Sequence, residues 1–128
     1  MIPIKEVELL HQILIDKFGG SQGIRDITGL ESALARPFQT FDGKDLYASF
    51  LEKAAALIES ILINHPFIDG NKRTGYTLLR FFLIQNGLDI TASRDNKYEF
   101  VINIASGILK HEGIVSWLNS NTKKMNSP

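Results

Sequence analysis

Apolar residues recur along this chain at the spacing of helix faces. Val7, Leu10, Leu14 and Phe18, with Ile13 widening the stripe, predict a helix over 4–18, which Gly19-Gly20 stops. Residues 19–29 read as a glycine-rich connection. Thr28-Gly29-Leu30-Glu31 has capping-box spacing and opens a short helix over 30–35, ended by Pro37. Leu46, Phe50, Ala54, Leu57, Ile58, Ile61 and Leu62 define a long buried helix over 44–63, in which Ala54-Ala55-Ala56 allows close packing. Leu78, Leu79, Phe82 and Leu83 carry a second central helix over 72–86, apolar around much of its circumference and so expected to be the most buried. Tyr98, Val101, Ile102, Ala105 and Leu109 predict a helix over 95–109. Ile114, Val115 and Leu118, with Trp117, predict a last short one. Phe38 and Phe41 sit in a turn-rich segment and are expected to pack inward. Leu88 to Ser93 reads as a connection, and no strand pattern of any length appears. The polar run 120–128 is expected to fray. The pattern predicts an all-α, six-helix bundle, one domain over 1–119 followed by that tail.

Composition narrows the classes of function. A chain of 128 residues is one domain by the usual length prior, long enough to bury roughly two-thirds of its unfolded surface. Its formal net charge is zero, so there is no bulk attraction to nucleic acid or to an anionic membrane. No apolar run is long enough to cross a bilayer, and Met-Ile-Pro-Ile-Lys-Glu lacks the shape of a signal peptide. Without cysteine there is no disulfide framework and no thiolate chemistry. A cytoplasmic address fits, with no direct nucleic-acid or membrane partner expected.

Between the two central helices lies His65-Pro66-Phe67-Ile68-Asp69-Gly70-Asn71-Lys72-Arg73-Thr74. Pro66 disfavours helix at His65, so the long helix ends near Asn64. Phe67, the large apolar residue among polar ones, is expected to plug into the core. Asp69-Gly70 is a turn signal, and Gly70 lets a ligand approach the backbone closely. Asn71 is a suitable N-cap for the next helix. Lys72 and Arg73 then fill the first helical turn, where the dipole disfavours cations unless an anion sits among them. Free N–H groups and two positive side chains there make a phosphate site. Asp69 beside it suits Mg²⁺, which takes one or two carboxylates together with phosphate oxygens. His65 suits a general base on a hydroxyl nucleophile. A solvated turn between two core helices is the plain alternative, disfavoured by the cations that oppose the dipole.

This stretch resembles the signature of the Fic/Doc family, in the variant of the death-on-curing toxins. Fic adenylyltransferases carry Gly where this chain has Lys72, and a second Arg where it has Tyr76. Gly23-Ile24-Arg25-Asp26, Leu30-Glu31-Ser32-Ala33-Leu34-Ala35-Arg36-Pro37, Leu46-Tyr47 and Phe82-Leu83 to Gly87 extend the resemblance over about 4–119. It implies a Fic fold and a kinase that moves the γ-phosphoryl of ATP to a hydroxyl of a target protein. Elongation factor Tu is the family's best-known target, and its modification stops translation. His65 would be the base and Asp69 would hold Mg²⁺. Gly70, Asn71, Lys72 and Arg73 would form the anion cradle, and residues 38–43 the flap along the target backbone. Self-inhibited members carry Ser/Thr-x-x-x-Glu-Gly/Asn. Here Ile108 stands before Glu112-Gly113, which implies inhibition in trans by a cognate antitoxin.

Two alternatives stay open: adenylylation by the same site, against which Lys72 and Tyr76 argue, and a non-catalytic partner-binding module, against which the intact His, Asp, Asn and Arg argue. Gly70 and Gly75 have P-loop spacing, but Tyr76 and Thr77 stand where Lys and Ser/Thr are needed. The three histidines have no zinc spacing, so His11 and His111 are expected to be structural or exposed. Arg25-Asp26 reads as a surface ion pair with a possible place beside the site, and Arg80 as a solvated cation.

Overall fold

The computed structural model describes residues 2–125. Helix α1 (Ile4–Phe18) buries Val7, His11 and Ile15. Helix α2 (Ile27–Ala35) starts earlier than its sequence predicts: the Asp26 carboxylate, rather than Thr28, caps it by accepting from the Gly29 N–H at 2.9 Å. A 3₁₀ turn over Arg36–Phe38 follows. Strands β1 (Thr40–Phe41) and β2 (Lys44–Asp45) then form a hairpin, closed by Asp42 and Gly43, both at positive φ. The hairpin occupies the predicted start of the long helix. Helix α3 therefore spans Phe50–Asn64, opened by a reciprocal capping box between Ser49 and Glu52. Helix α4 is Asn71–Gln85, strand β3 Leu88–Ile90, helix α5 Arg94–Ala105, helix α6 His111–Asn121 and strand β4 Thr122–Lys124.

The all-α, six-helix expectation holds, and three details correct it. Short strands are present. The tail does not fray over 122–125: β4 pairs antiparallel with β3, placing Lys123 opposite Asp89, and Met125 N–H donates to Gly87 O at 2.8 Å. Main-chain pairing of this kind is indifferent to side-chain polarity, which was the only signal read; residues 126–128 lie outside the described residues. Third, α3 and not α4 is the most enclosed helix. Ala54 to Ile58 are fully buried, whereas α4 leaves Phe81 half exposed. The alanine patch lets α2, α4, α5 and α6 all pack around α3.

One face of α3 (Ala54, Ala55, Ile58, Leu62) meets Leu79 and Leu83 of α4, Phe100 and Ile104 of α5, and Ile114 and Leu118 of α6. The other face (Leu57, Ile61) meets Val7, Leu30, Leu34, Phe67 and Leu78. The second of these clusters thus reaches the 65–70 turn through Phe67. Phe38 packs edge-on against Phe82, as expected, but Phe41 is 77% exposed because its strand turns the ring out at the hairpin tip.

Arg80 is not merely solvated. Its Nε and Nη2 each lie 3.2 Å from the Asp89 carboxylate, tying α4 to β3 and holding the Asp89 carboxyl below its usual range. The arginine is about half exposed. Arg80→Ala should cost less than about 1 kcal/mol in urea unfolding, as exposed pairs do; a loss of several would show that the β3–β4 pairing depends on it.

Candidate active site

The site begins where α3 stops. His65 caps α3 in the left-handed region, φ 50° and ψ 54°, with its N–H on Ile61 O. Pro66 disfavours the right-handed helical alternative at this position. A non-glycine residue at positive φ is strained by about 1–3 kcal/mol unless its surroundings hold it.

Those surroundings come from far along the chain. Phe67 is fully buried and stacks on the His11 ring at 3.9 Å and 6°, so the sequence reading of a core plug holds. His11 is buried too, and its Nε2 lies 2.7 Å from Asp69 O, which makes it a structural strut from α1 to the turn. Residues 20–26 run antiparallel to 65–69. Arg25 N–H and Asp26 N–H both donate to Pro66 O, at 2.8 and 3.0 Å, and Ile68 N–H donates to Gly23 O at 3.1 Å. The expected Arg25–Asp26 ion pair does not form. Asp26 caps α2, while Arg25 Nε and Nη2 donate to His65 O at 2.9 Å and Asn64 O at 2.8 Å.

The Asp69 carboxylate is exposed. Ser21 N–H donates to its Oδ2 at 3.1 Å and Gly70 N–H to its Oδ1 at 2.8 Å. These two backbone donors, helped by the nearby His11 and Arg73, hold its carboxyl below the usual range. Its contribution is therefore complete above the ordinary carboxylate range and fades only as pH falls through its lowered value. Gly20 is needed here, since a Cβ on it would meet Asp69 Oδ2 at 2.8 Å.

Gly70, at φ 76°, is the N-cap of α4 and offers no capping side chain. Thr74 N–H is the first to bond back, to Gly70 O at 2.9 Å. The N–H groups of Asn71, Lys72 and Arg73 thus face outward from the helix start, as unpaired leading amides do. Asn71 is not the N-cap its sequence predicts. Its amide is folded into the turn, with Oδ1 accepting from Phe67 N–H and Nδ2 donating to Phe67 O, both at 2.9 Å. Those two bonds fix which end of the amide is nitrogen. The remaining Nδ2 hydrogen points to His65 Nδ1 at 3.1 Å. In this arrangement a neutral His65 carries its proton on Nε2. Proton acceptance at Nε2 requires the other tautomer, in which Nδ1 no longer accepts from Asn71.

Lys72 and Arg73 are exposed, and the Arg73 guanidinium lies over the Phe18 ring at 4.6 Å from its centroid. Together with Tyr76, Arg94, Lys97 and Tyr98 they line a groove of about 360 Å³ between α4 and α5. None of its four cations forms an ion pair among the described residues. Arg94 and Lys97 were missed in the sequence: they stand in the first turns of α5, but there Ser93 caps the helix and Asp95 supplies an acid, so the dipole raises no flag.

An anion at the start of α4 would meet outward amides and the Lys72 and Arg73 side chains, with Arg94 and Lys97 lining the groove alongside. The residues also fit a divalent ion. Asp69 is ionised and retains an unused lone pair on each oxygen. No cluster of three His, Cys, Asp or Glu exists among the described residues, so phosphate and water would complete the shell, as suits Mg²⁺.

A family model described as the Fic/DOC family matches residues 2–83. The curated protein Toxin Doc of Mycolicibacterium smegmatis is 44% identical over 78 residues, which cover 61% of this chain and 60% of that relative's length.

Proposed function

The chain belongs to the Fic/DOC family, and on that premise we propose that it is a Doc-like toxin kinase acting on a hydroxyl of a target protein. In this reading the hydroxyl oxygen attacks the γ-phosphorus of ATP, the bond from that phosphorus to the β–γ bridging oxygen breaks, and ADP leaves. The hydroxyl proton passes to His65. The outward amides of Asn71, Lys72 and Arg73, with the Lys72 and Arg73 side chains, cradle the transferred group. Asp69 would hold Mg²⁺, whose charge would offset that of the phosphates. Phosphoryl transfer asks little covalent chemistry of the protein, so positioning and charge carry the catalysis. By resemblance the target is elongation factor Tu, its modification arrests translation, and a cognate antitoxin silences the chain in trans.

The observation that carries the reading is the start of α4. It has no acidic residue in its first turn, no capping side chain, and a lysine and an arginine beside three outward amides. The same stretch supports the kinase reading over an adenylylating one. Lys72 would take room that glycine would leave for the nucleotide, and half-buried Tyr76 stands where the family's second arginine would grip the phosphates.

Two parallel reactions test it, with ATP labelled at the γ or the α position and a cell lysate as substrate. Protein label is expected from γ-labelled ATP alone, with Mg²⁺ required, and Asp69→Ala should be silent. Lys72→Ala should weaken transfer sharply. Label from the α position would overturn the kinase reading in favour of adenylylation. Binding of ATP without transfer of either label would favour a non-catalytic module.

A further inference from the structure

We propose that Arg25 is a positioning residue, which holds the left-handed turn at His65 and thereby sets the place of the candidate base. The inference rests on the kinase reading for its kinetic consequence but not for its structural one. Helix α3 ends with carbonyls that its own backbone cannot satisfy. Arg25 takes two of them, Asn64 O at 2.8 Å and His65 O at 2.9 Å, through adjacent guanidinium nitrogens. Its own N–H takes the next, Pro66 O, at 2.8 Å. Three consecutive carbonyls spanning the strained residue are therefore held by one distant residue.

The chemistry suits arginine in particular. Its planar fork spans two acceptors at once, which the single ammonium of lysine does not do in the same geometry. Its charge also sits at the negative end of the α3 dipole. No carboxylate competes for it, since Asp26 caps α2 and Arg25 forms no ion pair among the described residues. The residue is exposed and contributes nothing to either buried cluster. An exposed arginine with no acidic partner is ordinarily spent on solvent; this one is aimed at the backbone of His65.

The full-length chain is compared with Arg25→Ala and Arg25→Lys. The first measurement is independent of activity. At positive φ a residue gives a strong intraresidue amide-to-Hα Overhauser effect, so His65 should show one in the parent. That signal should weaken in Arg25→Ala, as His65 averages into negative φ, and recover in part in Arg25→Lys. The second measurement is phosphoryl transfer. Arg25→Ala should lower kcat roughly 10–10²-fold, the range a small misplacement costs, while KM for ATP stays within about twofold. Far-ultraviolet dichroism checks folding; if Arg25→Ala unfolds, Arg25→Lys carries both measurements. An unchanged His65 signal in the folded variants overturns the proposal, and so does a kcat loss that leaves that signal intact. A parent chain that transfers no phosphate defeats the kinase reading alone, and the His65 signal still decides the role of Arg25.

Discussion

Replacing His65 with alanine is expected to lower phosphoryl transfer by roughly 10²–10⁴-fold, the contribution of a positioned general base. The fold should barely notice. His65 is exposed, its side chain makes one hydrogen bond, to Asn71, and Asn71 stays anchored on both polar atoms of Phe67. Alanine tolerates the left-handed region somewhat less well than histidine, so the turn gains a little strain in the variant. The measurement is initial-rate transfer from γ-labelled ATP, with growth arrest on expression as its cellular counterpart. Wild-type rates in His65→Ala would remove His65 from the reaction and leave the cradle to act on an already ionised nucleophile.

The second large effect is on stability. Phe67→Ala should destabilise the chain by about 3–5 kcal/mol and lower the melting temperature by roughly 10–20 °C. Phe67 is fully buried between α1 and α3, stacked on His11, and its backbone is the anchor of Asn71. Against a total stability of about 5–15 kcal/mol, that loss takes much of the margin. It should also silence transfer at temperatures where the variant remains folded, because the turn carrying His65 and Asp69 loses its plug. A cost below about 1 kcal/mol would show that the turn is held by its hydrogen bonds alone.

Legibility in the sequence followed the range of the interaction. Helices announced by apolar spacing were found: α1 matches its predicted bounds, and α4 is displaced by one residue. Starts decided by a particular side chain or by main-chain pairing were not. Asp26 displaced Thr28 as a cap, the 40–45 hairpin displaced the first turn of α3, and β4 captured a tail whose polarity looked unstructured. The candidate site was readable as a cluster of residue types because they are contiguous. Its supports were not, because His11, Ser21 and Arg25 act from 40 to 58 residues away. Asn71 illustrates the limit. Its capping propensity is real, but the closed pair of bonds to Phe67 competes better for its amide. Arg94 and Lys97 gave no dipole signal, because Ser93 caps α5 and Asp95 places an acid in its first turn.

The splint between residues 20–26 and 65–69 also bears on when the site exists. Each helix closes its hydrogen bonds locally, but the struts to His65 and Asp69 close loops of 40 and 58 residues. Such closures carry entropy that must be offset before they gain anything. A chain emerging from synthesis, or one whose glycine-rich segment has come loose, keeps its helical content and lacks the geometry for transfer. In the kinase reading, activity is thus coupled to the completion of long-range closures in folding. A protease or partner that pries residues 19–26 away from the turn would disarm the molecule at a cost well below that of global unfolding.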